Sequence, residues 1–207
     1  RGEMDYAMEL SKKEGMDPVD QEVIPPPTAD YTPFATKLKD AGPNWVYSWA
    51  PWVTQVRTLE ALRKLGWNDD YIAWGHLEAE AELVRLKDGK FYVVNSNALF
   101  QEDLPIQKEI DAAAKQAGSK YPGQTMTEGW IGGIAIEAAL KAAGASADRA
   151  KLRSAMENLT IDTKGLRGGP IVWTKDNHFR TQLYYRVYKW DGSKISRVQD
   201  WKNYAVK

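Results

Sequence analysis

Apolar positions recur along the first ninety residues with two alternating periods, one near 3.6 and one near 2. Residues 3–14 (EMDYAMELSKKE) set Met4, Ala7, Met8 and Leu10 near one helical face, and Gly15 offers a stop. PVDQEVI at 18–24 reads as a strand ending at Pro25-Pro26-Pro27. Asp30 is placed to cap a helix through YTPFATKLKDAG, with Pro33 tolerated in its first turn and Gly42 closing it. NWVYSW (44–49) is a short apolar strand. After Ala50-Pro51, the spacing of Val53, Val56, Leu59, Leu62 and Leu65 predicts a helix from about Trp52 to Leu65, closed by Gly66. YIAW (71–74) is the next strand. Strands separated by helices form βαβ units, and these require a parallel sheet with right-handed crossovers.

The pattern changes after residue 90. KFYVVN (90–95) is a strand, but three helical segments then follow, at about 103–117, 127–143 and 147–158. The second is rich in Ala and Gly (GWIGGIAIEAALKAAG), which permits close packing. The third has Ser146 or Asp148 for a cap and Leu152, Met156 and Leu159 for a buried side. The C-terminal part has an antiparallel character: PIVWT (170–174), QLYYRVYKW (182–190), a turn at Asp191-Gly192 in a loop longer than two residues, and KISRVQDW (194–201).

Composition narrows the function. The 207 residues are 43% hydrophobic and 27% charged, enough for a real core. Lys+Arg and Asp+Glu both total 28, and zero net charge argues against nucleic acid, where a basic field supplies most of the affinity. No apolar run approaches a membrane span. Cysteine is absent, which removes disulfides, thiolate nucleophiles and Cys-ligated zinc. Nine Trp and ten Tyr stand out, because aromatics at that density build stacking pockets as well as cores. The chain starts at Arg1 without methionine and inside a helix, so a preceding segment is expected.

Several segments together resemble the type I periplasmic binding proteins, in the leucine/isoleucine/valine-binding branch that serves ABC importers. TADYTPFATKLKDAGPNWVYSW is similar to the family's second-lobe stretch leading into a strand. EGWIGGIAIEAALKAAG is similar to its "G-Y-D-A-…-A-L-K-x-A-G" helix, with Trp130 where tyrosine is usual. LRGGPIVWTKDNHF resembles its "G-x-x-G-x-(I/V)-x-F-D-x-x-x-H" element, and the hairpin ending VQDW resembles its C-terminus. These pieces keep the family's order from about Asp30 to Trp201. The resemblance implies an α/β fold with a parallel sheet flanked by helices and a partial, mainly helical second lobe. It places residues 1–93 and 182–207 in lobe 2 and 94–181 in a remnant of lobe 1, the rest of which would lie upstream. Helix faces left without that sheet would be apolar and exposed, so self-association, element swapping or a different helix packing is expected.

Ligands of open α/β sheets sit beyond the carboxyl ends of the strands. Two such ends are aromatic here: Trp49, Ala50, Pro51 and Trp52, then Trp74, Gly75, His76 and Leu77. The resemblance makes these turns lobe-2 walls of a cleft and brings Trp130 to its other side, so Trp49, Ala50, Trp52, Trp74, His76 and Trp130 are the expected ligand contacts. Trp45, Trp67, Trp173, Trp190 and Trp201 read as packing residues. Amino-acid binders of the family place a carboxylate at the second turn, where WGHLEAE has His76, with Glu78 slightly later. A buried ammonium needs a counter-charge. Either Glu78 reaches in, or the ligand is an aromatic or other small organic acid, or an amide.

His76, Glu78 and Glu80 have the spacing of helical metal ligands, but the chain has only two histidines, and the acidic run reads as a solvated helix face. The His-x-Glu of zinc deaminases fails without cysteine. No GxSxG, HExxH or P-loop is present, and His178 has no visible catalytic partner. No catalytic motif competes with what the resemblance implies, which is binding without catalysis or cofactor: a periplasmic or extracellular clamp on a small solute, associated with the membrane only through the ABC permease subunits it would serve. The alternative is a ligand-sensing regulatory domain of the same fold.

Overall fold

A computed structural model describes residues 2–179 and 181–205; Arg1 and the last two positions of the 182–207 segment lie outside the described residues. Its strands form a five-stranded sheet in the order β1-β2-β3-β6-β7 and a separate two-stranded sheet, β4-β5. The chain divides into two compact units, residues 2–74 with 88–92, and residues 75–87 with the described part of 93–205.

The first unit begins with α1 (Gly2–Lys13), whose Met4, Ala7 and Met8 are only half-buried. The strand expected at 18–24 does not form: this stretch carries no regular structure. Pro18 at one end and three consecutive prolines at the other lack the N–H groups a ladder needs. Helix α2 (Thr32–Asp40) has Tyr31, not Asp30, at its N-cap position, and Asp30 serves its start from one residue earlier, with Oδ1 accepting the Thr32 N–H at 2.9 Å. Strands β1 (Trp45–Ser48) and β2 (Asp70–Trp74) pair in parallel, with Val46 opposite Tyr71, and α3 (Trp52–Lys64) is the crossover between them. Val56, Leu59 and Leu62 of α3 are buried, as are Tyr71 and Phe91, whose rings lie 6.2 Å apart. Trp67 is a packing residue as expected, under the Arg63 guanidinium and donating to the Pro43 carbonyl, but Trp45 is 37% exposed.

Strand β3 (Phe91–Asn95) is divided between the units after Tyr92. The second unit holds α4 (Ala79–Leu86), α5 (Pro105–Gln116), α6 (Thr127–Ala143) and α7 (Arg149–Met156). Of the two expected caps, Asp148 serves α7, accepting the Lys151 N–H at 2.8 Å. Its core joins Ile106 and Ile110 of α5, Ile131 and Ala135 of α6, and Ile161, Leu166 and Ile171. Two short strands, β4 (Thr160–Ile161) and β5 (Ile171–Val172), pair antiparallel; the first has too few residues to show a period in the sequence. The C-terminal hairpin, β6 (Gln182–Trp190) and β7 (Ile195–Ala205), is antiparallel as expected, and Asp191 Oδ1 accepts from Ser193 and Lys194 in its loop. The hairpin keeps company with 93–179 through side chains. Glu102, in a 3₁₀ turn (Phe100–Glu102), accepts from Arg186 and Tyr188, and Arg186 stacks on Trp201. Gly168 lies so close to the hairpin that a Cβ there would meet Trp201 Cδ2 at 2.6 Å.

Candidate functional site

In the first unit, β1 and β2 run in parallel and end at Ser48 and Trp74, so the residues that follow project from the carboxyl edge of this strand pair. Trp49 is 47% exposed, and its ring sits 6.3 Å from that of half-buried Trp74, tilted by 56°. Ala50 is half-buried between them in sequence and the start of α3. Trp52 is different: it is 8% exposed with its ring 6.2 Å from Phe91, which leaves little of it for a ligand.

What holds the Trp74 turn escaped the sequence reading. Gln55, fully buried on α3, accepts the Trp74 N–H through Oε1 at 2.9 Å and donates from Nε2 to the Trp74 carbonyl at 3.0 Å. The Gln55 carbonyl in turn accepts the Tyr71 hydroxyl at 2.9 Å, and burial pushes that phenol well above its ordinary pKa. A glutamine among apolar helix positions carries no periodic signal; only the strand end brought against it reveals its role.

In the second unit, His76 follows Gly75, where a Cβ would stand 2.6 Å from Asn95 Oδ1, so only glycine lets the chain pass this closely. His76 is half-buried and Glu78 is exposed. Glu80 corrects the expectation of a solvated face. Its carboxylate turns inward and accepts the N–H groups of Phe100 at 2.6 Å and Gln101 at 3.0 Å. Burial raises its pKa above the ordinary carboxylate value, with these two hydrogen bonds opposing.

His76, Glu80, Asn95, Asn97, Phe100 and Thr127 are among the residues lining a cavity of about 20 Å³. Asn97 Nδ2 donates to Glu128 Oε1 at 2.7 Å, and Glu128 takes Arg167 Nη2 on both oxygens, at 3.0 and 2.7 Å. Trp130, two residues along α6, is partly buried against the core and does not line this cavity. Among the described residues no group of three His, Cys, Asp or Glu is placed to hold a metal, and no helix is long and apolar enough to cross a membrane.

The model of the periplasmic binding protein family matches residues 4–194. The chain belongs to that family. Solved structures of the same fold include a branched-chain amino acid ABC transporter protein from Thermus thermophilus with bound valine, at 16% identity and a TM-score of 0.80, covering 97% of this chain and 56% of that one. A solute-binding protein of an ABC transporter from R. palustris, in complex with 4-hydroxybenzoate, is 19% identical with a TM-score of 0.71 and the same two coverages. Another from R. palustris, in complex with benzoate, is 17% identical with a TM-score of 0.71, covering 93% of this chain and 52% of that one. No curated protein sequence matches. This family member thus spans little more than half the length of the structures it resembles, and its fold, α/β with a mostly parallel mixed sheet flanked by helices, is theirs.

Proposed function

We propose that the protein binds a small organic solute without transforming it, in the periplasm or outside the cell, for delivery to ABC permease subunits. The observation that carries this reading is the pairing of exposed Trp49 with half-buried Trp74 at the carboxyl ends of two parallel strands in a chain of this family. Trp49, Ala50, Trp52 and Trp74 are the ligand contacts assigned to the first unit, with Trp52, largely covered, offering the least surface; His76 and Trp130 are those assigned to the second. The division into lobe 2 (1–93 and 182–207) and part of lobe 1 (94–181) belongs to the same reading, as a clamp that closes on its solute.

The carboxylates favour an aromatic or other small organic acid over an α-amino acid. Glu78 faces solvent, and Glu80 is already engaged by two backbone N–H groups with its ionised form disfavoured by burial, so neither is a ready partner for an ammonium beside His76. Thermal-shift and calorimetric titration of the full chain with valine, leucine, benzoate and 4-hydroxybenzoate tests this. Stabilisation is expected from the aromatic acids, with Trp49→Ala weakening binding about tenfold, the loss of one aromatic stacking partner. Stabilisation by the amino acids alone overturns the ligand class, and no response to any of the four overturns solute binding by this chain.

A further inference from the structure

The cavity beside His76 contains a polar atom without a match. Asn97 is 7% exposed, its Nδ2 is committed to Glu128, and its Oδ1 is buried with no hydrogen-bond partner. Buried carbonyl oxygens are almost always paired, so an orphaned one calls for a donor that arrives from outside the protein. The space suits a small donor: about 20 Å³ holds one water-sized group. The neighbours set its charge. Glu128 is already paired with the Arg167 guanidinium and also accepts from Asn97, and Glu80 is engaged by the amides of Phe100 and Gln101, so a neutral donor suits the site better than a cation.

We infer that this cavity is a subsite for one neutral, hydroxyl-sized hydrogen-bond donor, received by Asn97 Oδ1. The O–H comes from an ordered water or from a hydroxyl of the solute. The second source rests on the solute-binding reading above; the first does not. Asn97 is then a specificity-determining residue, because an unmatched buried acceptor penalises a ligand that fills the site without a donor.

Two measurements on the full chain separate the sources. A high-resolution crystal structure without added solute is expected to show an oxygen about 2.7–3.0 Å from Asn97 Oδ1. Calorimetry then compares benzoate with 4-hydroxybenzoate, and in Asn97→Leu any preference between them is expected to vanish. An oxygen peak with equal affinities assigns the subsite to water. About tenfold tighter binding of the hydroxylated acid, with the peak replaced by its hydroxyl, assigns it to the solute. A peak with neither acid bound leaves the subsite standing while the aromatic-acid reading falls. An Oδ1 with no neighbouring oxygen in the free protein, together with equal affinities or no binding, overturns the subsite, as does a preference that survives in Asn97→Leu. If that variant does not fold, the two wild-type measurements decide alone.

Discussion

Replacing Gln55 with leucine removes the two hydrogen bonds that fix the end of β2 while keeping a side chain of similar volume on α3. Each bond is worth about 0.5–1.5 kcal/mol net, and both end on the backbone of one residue, Trp74. The variant also leaves the Trp74 N–H and carbonyl without their partner. Trp74 is half-buried, so water recovers part of that loss, and the expected destabilisation is about 2–4 kcal/mol. Equilibrium urea unfolding followed by tryptophan fluorescence reads this as a lower midpoint at unchanged slope. Gln55→Glu sharpens the test. It keeps an acceptor for the Trp74 N–H but turns a carboxylate toward the Trp74 carbonyl in a fully buried position. Burial raises the pKa of such a carboxyl in the folded protein, so this variant is expected to lose more stability than Gln55→Leu at neutral pH and to regain some as the pH falls. A loss below about 1 kcal/mol for Gln55→Leu would mean that the glutamine does not hold the turn.

Glu80 has a folded-state pKa raised mainly by burial, so the folded protein holds this proton to higher pH than the unfolded chain does. Its contribution to stability is therefore present below the ordinary carboxylate pKa and is lost as pH rises through the raised one; the difference in urea midpoint between wild type and Glu80→Gln, followed across that window, should change in this sense, and a constant difference would refute it. Gly168→Ala drives a Cβ into Trp201 and is expected to cost about 1–3 kcal/mol by thermal unfolding; an unchanged Tm would show that the hairpin shifts freely. On α6, Ile136 and Leu140 are 56% and 48% exposed, and concentration-dependent self-association is expected in sedimentation, relieved by Ile136→Glu; a monomer at every concentration would remove this expectation.

The elements with a clear period were legible from composition and spacing: α2, α3, α6, the strands β1, β2 and β3, and the hairpin all lie within a few residues of their expected places. The misses have physical causes. The 18–24 segment has Val19, Val23 and Ile24 as apolar strand formers but is bracketed by prolines that withdraw backbone donors. The two residues of β4 are held by their partner strand and carry no pattern of their own. At the candidate site, aromatic residues at strand ends announce themselves, because position and residue type coincide in Trp49 and Trp74. Gln55, Glu80 and Asn97 do not. Each is a polar residue whose role depends on a backbone or side-chain group 19 or more positions away, and a single sequence does not show which distant groups meet. Trp52 shows the converse, since its place next to an exposed tryptophan gave no sign that Phe91 would cover it.

The 3₁₀ turn at Phe100–Glu102 is bolted at both ends by carboxylates. Glu80, from α4, grips its first two amides, and Glu102, its own last residue, grips Arg186 and Tyr188 of β6. A connection fastened this way has no slack. The amides of Phe100 and Gln101 are therefore expected to exchange with solvent more slowly than other surface amides, although Gln101 itself lies at the surface. A single 3₁₀ turn of three residues thus joins α4 to β6 through two glutamates.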